Sequence, residues 1–250
     1  MRRAFTCLLL LVASGALKLP LEQALQHYKH RLGLGRVAYN LSLREQLGQR
    51  SYIAALGGLR AMVADLAVIQ AHAAWERTDW PRVLLLFRQA TSLQPRIILY
   101  WEMAAWHMGW NASAAAMRDE SQPRLALRIK HQREYFAIAR DLLERGIANN
   151  PDKPQLYEAL GRLYRDKYQD HCRASEQFAL AAKQAGAPSY DKRFAAYELS
   201  ACAGHEREAY TRLRALYDLG EQERLPTLIK RLKAMEEALA IPAEKRIPDS

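Results

Sequence analysis

Apolar residues recur at intervals of three and four along most of the chain, the spacing that puts them on one face of an α-helix. Leu59, Met62, Val63, Leu66 and Ile69 predict a helix over Leu59–Arg77 with those residues as its buried stripe. Thr78-Asp79-Trp80-Pro81 reads as a turn, and Val83, Phe87 and Ala90 continue as a second helix that stops before Pro95. Trp101, Ala104, Ala105 and Met108 begin another pair, with Trp106 and Trp110 one helical turn apart. Asn111–Glu120 reads as a polar, alanine-rich insertion, and Ser121-Gln122-Pro123 as a helix start. Leu125, Ile129, Phe136, Ala139, Leu143 and Ile147 then mark one long helix, expected to overhang its partner by about three turns. Phe194–Ala203 and Glu206–Leu219 form a pair about Gly204, and Leu225–Leu239 a terminal helix. Ile241–Ser250, with Pro242 and Pro248, is expected to be an extended tail.

The most regular stretch is Pro154–Ala181. Tyr157, Leu160, Gly161 and Tyr164 are followed by Ala174, Phe178 and Ala181. The spacing suits two helices in close approach, with Gly161 and the alanines at the contact and the aromatic residues filling the space beside them. This pattern resembles a tetratricopeptide repeat, a helix-turn-helix unit of about 34 residues. The other pairs are weaker copies, the first lacking the large aromatic residue and glycine of the pattern. The resemblance covers roughly residues 59–220 and implies an all-α, right-handed α-solenoid of about four helical pairs over 58–220. Residues 221–240 are expected to cap its last apolar face, and 241–250 to form the tail. The arrangement is also similar to that of bacterial exported or membrane-anchored repeat proteins.

Arg2 and Arg3 precede the apolar run Ala4–Leu17, shorter than a membrane span of about 20 residues and typical of an export signal. Residues 1–18 are therefore expected to be a signal peptide or an uncleaved anchor. Ser14-Gly15-Ala16 offers a cleavage site, whereas Lys18, Leu19 and Leu21 leave the anchor open. The repeats then lie on the outer side of a bacterial cytoplasmic membrane. Residues 19–57 read as a helical extension, with a Ser42-x-x-Glu45 capping box and a break at Gly57-Gly58. Cys7 belongs to the signal. Cys172 and Cys202 fall near helix ends that an antiparallel stack brings to one edge, so either a disulfide or two small packing residues is expected there.

Half of the residues are apolar and 26% are charged, an ordinary balance for a folded chain. Lys and Arg exceed Asp and Glu by 37 to 27, giving a formal charge of +10. The densest basic stretch holds Arg124, Arg128, Lys130 and Arg133, with no carboxylate between them. It is the candidate site for an anionic lipid or polymer. Nucleic acid is not an expected partner for an exported protein.

No His-Glu-x-x-His, Gly-x-Ser-x-Gly, phosphate loop or Cys-x-x-Cys occurs, so no catalytic residue, metal or cofactor is expected. The Asn40 and Asn111 sequons carry weight only in a eukaryotic secretory protein. The repeat resemblance implies a concave groove lined by the first helix of each pair. Its lining would be Asp65, His72, Trp75 and Glu76 from the first pair, Glu102, Trp106 and Trp110 from the second, and Glu158, Arg162 and Arg165 from the third. Such a groove takes a peptide or an amphipathic helix of a protein partner, with aromatic anchors. Trp106 and Trp110 belong either to the groove or to the core. Where some family members clamp a terminal carboxylate, this chain has Glu158 and Arg162, so that activity does not carry over.

Overall fold

The structure, a computed structural model, describes residues 59–248. The signal or anchor of residues 1–18, the extension of 19–57 with its capping box and glycine break, Cys7 and the Asn40 sequon lie outside the described residues. Among the described residues all regular structure is helical, and no helix is long and apolar enough to cross a membrane.

The helices follow one another as tightly connected pairs. α1 (Arg60–Glu76) turns through Thr78, at φ 56°, into α2 (Trp80–Leu93). Asp79 caps α2 by accepting from the amide of Arg82 at 3.2 Å. α3 (Ile98–Trp106) runs without a break into a π-helical segment, His107–Ala112, and then into α4 (Ser113–Met117). α5 (Leu125–Asn149) packs against α3, the π-helical segment and α4. α6 (Pro154–Leu163) carries its own π-helical end, Tyr164–Tyr168, closed by Gln169 at φ 54°. α7 (His171–Ala181) follows, N-capped by Asp170, which accepts from the amide of Arg173 at 2.9 Å. α8 (Ser189–Leu199), α9 (Glu206–Asp218) and α10 (Pro226–Ala238) complete the chain.

Close packing depends on glycine at three helical positions. A Cβ on Gly161 would lie 3.1 Å from the Phe178 ring, one on Gly146 3.0 Å from Trp101, and one on Gly109 3.0 Å from Leu163. The first helices also touch in sequence. The Tyr100 hydroxyl donates to the Asp65 carboxylate between α1 and α3. α3 packs on α6, and the Tyr190 hydroxyl of α8 donates to Glu158 of α6 at 3.1 Å. On the other layer Arg88 of α2 approaches Asp141 of α5 at 4.0 Å.

The described core falls into two clusters that meet within α8. One runs from Ala64 to Ala195 and holds Phe87, Trp101, Met108, Leu143, Leu163 and Phe178. The other runs from Ala196 to Ile247 and holds Leu213, Leu228 and Leu232. Cys172 and Cys202 are joined by a disulfide, with Cα atoms 4.9 Å apart. It ties α7 in the first part of the molecule to a residue of the second cluster.

Several elements depart from expectation. The buried face of α1 is Ala64, Ala67, Ala71 and Ala74, while Leu59, Met62, Leu66 and Ile69 are exposed. Small alanines let α1 and α2 approach closely, and the larger stripe faces away from α2. The polar insertion after Trp110 is helical as far as Met117, so the first turns of α5 pack on α4 instead of overhanging. α5 begins at Leu125 and buries Tyr135, Phe136, Ala139, Leu142, Leu143 and Gly146, while Leu125 is exposed. α8 starts at Ser189, five residues before the predicted Phe194 (194 − 189). The tail contains a single 3₁₀ turn, Ala243–Lys245, and folds back so that Ile247 is buried and its amide donates to Glu236 at 3.0 Å.

Candidate functional site

Side chains of α1, α3, α6 and α8 gather in two groups, one aromatic and one acidic. On α3, Glu102 and Trp106 are one helical turn apart and share a face with Leu99. Trp106 is 49% exposed, so it belongs to the surface, while its ring approaches His107 at 5.0 Å between centroids. Trp110 is partly buried against the core, and the Lys167 ammonium lies 5.1 Å over its ring. The pair therefore divides between surface and core.

His107 is the hub of an aromatic cluster. Its ring lies 5.5 Å from those of Trp75 and Phe87, and the Asn111 amide nitrogen is 3.3 Å from its Nδ1. Burial, reinforced by the nearby charge of His72, pushes its pKa down to about 4. His107 is therefore neutral near pH 7, and its Nδ1 accepts from Asn111. His72 itself is exposed, 5.0 Å from the Trp75 ring and 3.7 Å from Glu76. Asp65 is committed to Tyr100, whose pKa is raised to about 12 by burial and by that carboxylate.

In the acidic group three carboxyl groups converge on one guanidinium. Arg162 Nη1 donates to Glu158 Oε2 at 3.3 Å, and Tyr190 donates to the same oxygen. Glu158 is buried, whereas the Arg162 side chain is 41% exposed. Asp191, next to Tyr190 in the first turn of α8, is completely buried and neither of its carboxylate oxygens has a hydrogen-bond partner. Burial and the negative charge of Glu158 raise its pKa to about 6, against the opposing charge of Arg162. Glu102 is raised in the same sense by burial, with Arg162 opposing and Glu158 adding to the rise.

Of the ten residues expected in a groove, Glu102, Glu158 and Arg162 thus meet in one place. Trp106 stands on the same helix face as Glu102, and Trp75 and His72 join it through His107. Arg165 turns aside to bind its neighbour Asp166, its Nε donating at 2.7 Å, and lies 6.0 Å over the Phe178 ring. Tyr190, Asp191 and His107 were absent from the sequence expectation. The signal for Asp191 was slight, since an acidic residue just after Pro188 reads as an ordinary helix start.

The basic stretch does not converge. Arg124 and Arg128 project about 40° apart around the helix axis, while Lys130 and Arg133 project to the other side. Arg128 donates to the carbonyl of Met117 at 3.4 Å and Lys130 lies 3.9 Å from Glu134, leaving Arg124 and Arg133 as exposed charges. Among the described residues no group of three His, Cys, Asp or Glu side chains could hold a metal ion. No family model and no curated protein sequence matches the chain.

Proposed function

We propose that the chain is a non-catalytic scaffold that docks a peptide or helix of a protein partner. Its helical pairs are read as a right-handed, tetratricopeptide-like solenoid whose first helices α1, α3, α6 and α8 line the docking groove. The observation that carries the reading is the succession of contacts along these helices, Tyr100 to Asp65, α3 to α6 and Tyr190 to Glu158. On this reading Trp106, Glu102, Arg162 and Tyr190 form one row along the groove. Half-exposed Trp106 is the anchor, since a large aromatic residue supplies contact area at small entropic cost. The N-terminal apolar run is read as an export signal or anchor, which puts the groove on the outer side of the membrane.

The test is selection from a random peptide library by the immobilised full chain. A family of enriched peptides should bind the native chain and lose at least tenfold in affinity with Trp106→Ala, while far-ultraviolet circular dichroism stays the same. Failure to enrich any peptide, or enriched peptides that ignore Trp106, would sink the groove reading.

A further inference from the structure

The acidic cluster of Glu102 on α3, Glu158 on α6 and Asp191 on α8 has one property that packing does not account for. Elsewhere among the described residues the buried carboxylates are tied: Glu198 to His171 Nδ1 at 2.7 Å, and Glu236 to the amide of Ile247 at 3.0 Å. Asp191 is as deeply buried, and both of its oxygens lack a donor. A desolvated carboxylate without hydrogen bonds is among the most unfavourable groups a core can hold, by several kcal/mol. Its neighbours make matters worse, because Glu158 bears with like charge on both Asp191 and Glu102. One guanidinium, Arg162, answers all three carboxyl groups, and its only hydrogen bond to them is the 3.3 Å contact with Glu158.

We infer that Glu102, Glu158 and Asp191 form a subsite for a lysine or arginine side chain of a peptide lying in the groove, with Arg162 as the resident cation that the incoming one displaces. The inference rests on the groove reading above. An extended cationic side chain suits the cluster because it brings donors on a narrow stem to the place the Arg162 guanidinium vacates, and the carboxylates can take up several at once. Arg162 is held by a single long bond and its side chain is 41% exposed, so it can swing into water and stay solvated. The whole chain carries +10, so its overall charge does not attract a basic segment and a local group of carboxylates has to.

The test uses the peptides selected by the immobilised full chain. The expected result is that each enriched family keeps a lysine or arginine at one fixed position, and that replacing it with glutamine weakens binding at least tenfold. Asp191→Asn, which removes the charge but keeps the shape, should bind the basic and glutamine peptides about equally well. Arg162→Gln should bind the basic peptide several-fold more tightly, an effect that a merely structural arginine would not produce. Enriched peptides with no basic position, or a basic preference that survives Asp191→Asn and Glu158→Gln together, overturn the subsite while leaving the groove reading intact. Failure to enrich any peptide overturns both.

Discussion

Asn150 donates its side-chain amide to the carbonyl of Pro95 across 2.8 Å, although 55 residues separate them. The Trp101 indole donates to the same carbonyl at 3.0 Å, and the Asn150 amide reaches back to Gly146 at 3.0 Å. One buried amide thereby joins the end of α2, the start of α3 and the last turn of α5. Asn150→Ala leaves helix-end carbonyls with a donor removed and is expected to lower stability by about 1–3 kcal/mol. The midpoint of urea unfolding, followed by circular dichroism, measures it.

Gly161→Ala sets two effects against each other. Alanine favours the helix over glycine by about 1 kcal/mol. Its Cβ would press to 3.1 Å on the rigid Phe178 ring in the middle of the α6 and α7 contact. Overpacking of this kind costs about 1–3 kcal/mol, so a net loss of about 1 kcal/mol is expected. A gain in stability would mean that the ring gives way freely.

Trp106 and Trp110 should separate cleanly in a stability assay. Trp110 packs on the core, and Trp110→Ala is expected to lose about 2–4 kcal/mol. Trp106 stands half in solvent, and Trp106→Ala is expected to lose less than about 1 kcal/mol. Equal losses in urea unfolding would contradict the division of the pair between core and surface.

Acid should act on two buried groups in opposite senses. His107 titrates at about 4 in the folded chain and 6.5 in the unfolded one, so the unfolded chain takes up the proton first. Stability from its neutral form is present above pH 6.5 and lost as pH falls towards 4, by at most about 3 kcal/mol. Asp191 titrates at about 6 folded and 3.8 unfolded, so the folded chain takes up the proton first and gains a similar amount over nearly the same window. The two offset in the native chain. Asp191→Asn should raise stability at pH 7 by about 1–2 kcal/mol and make the fall between pH 6.5 and 4 steeper. His107→Gln should make the fall shallower. Urea midpoints at pH 7, 5.5 and 4 for the three proteins give the slopes.

The spacing of apolar residues made the helices legible because each one buries a face, and a face has a period. It was less informative about which face. On α1 the four larger residues formed the more conspicuous stripe, yet the alanines are inside, since close approach to α2 rewards small size over apolar area. The helical continuation past Trp110 was hidden for a related reason. A π-helical segment shifts the register of the side chains, so His107–Ala112 and Tyr164–Tyr168 do not continue the spacing that precedes them. Glu102, Glu158 and Arg162 could be placed together because they stand at repeating positions of similar helices. Asp191 could not, because nothing local distinguishes a buried first-turn aspartate from a solvated one.

The division of the core within α8 gives the molecule two cooperative units of unequal size. Amides of α9 and α10, which rest on the smaller cluster, should exchange with solvent deuterium as one group and before those of α2, α5 and α7. The Cys172–Cys202 bond spans that boundary and closes a loop with a sequence separation of 30. Its reduction should restore about 3–4 kcal/mol of chain freedom to a state in which α7 and α8, the segment inside that loop, have opened. Exchange in α7 and α8 through that opening would then quicken by two to three orders of magnitude, about tenfold for each 1.4 kcal/mol, while exchange in α9 and α10, which lie outside the loop, responds far less. The thiol balance of the surroundings would in this way set how long the junction between the two clusters stays shut.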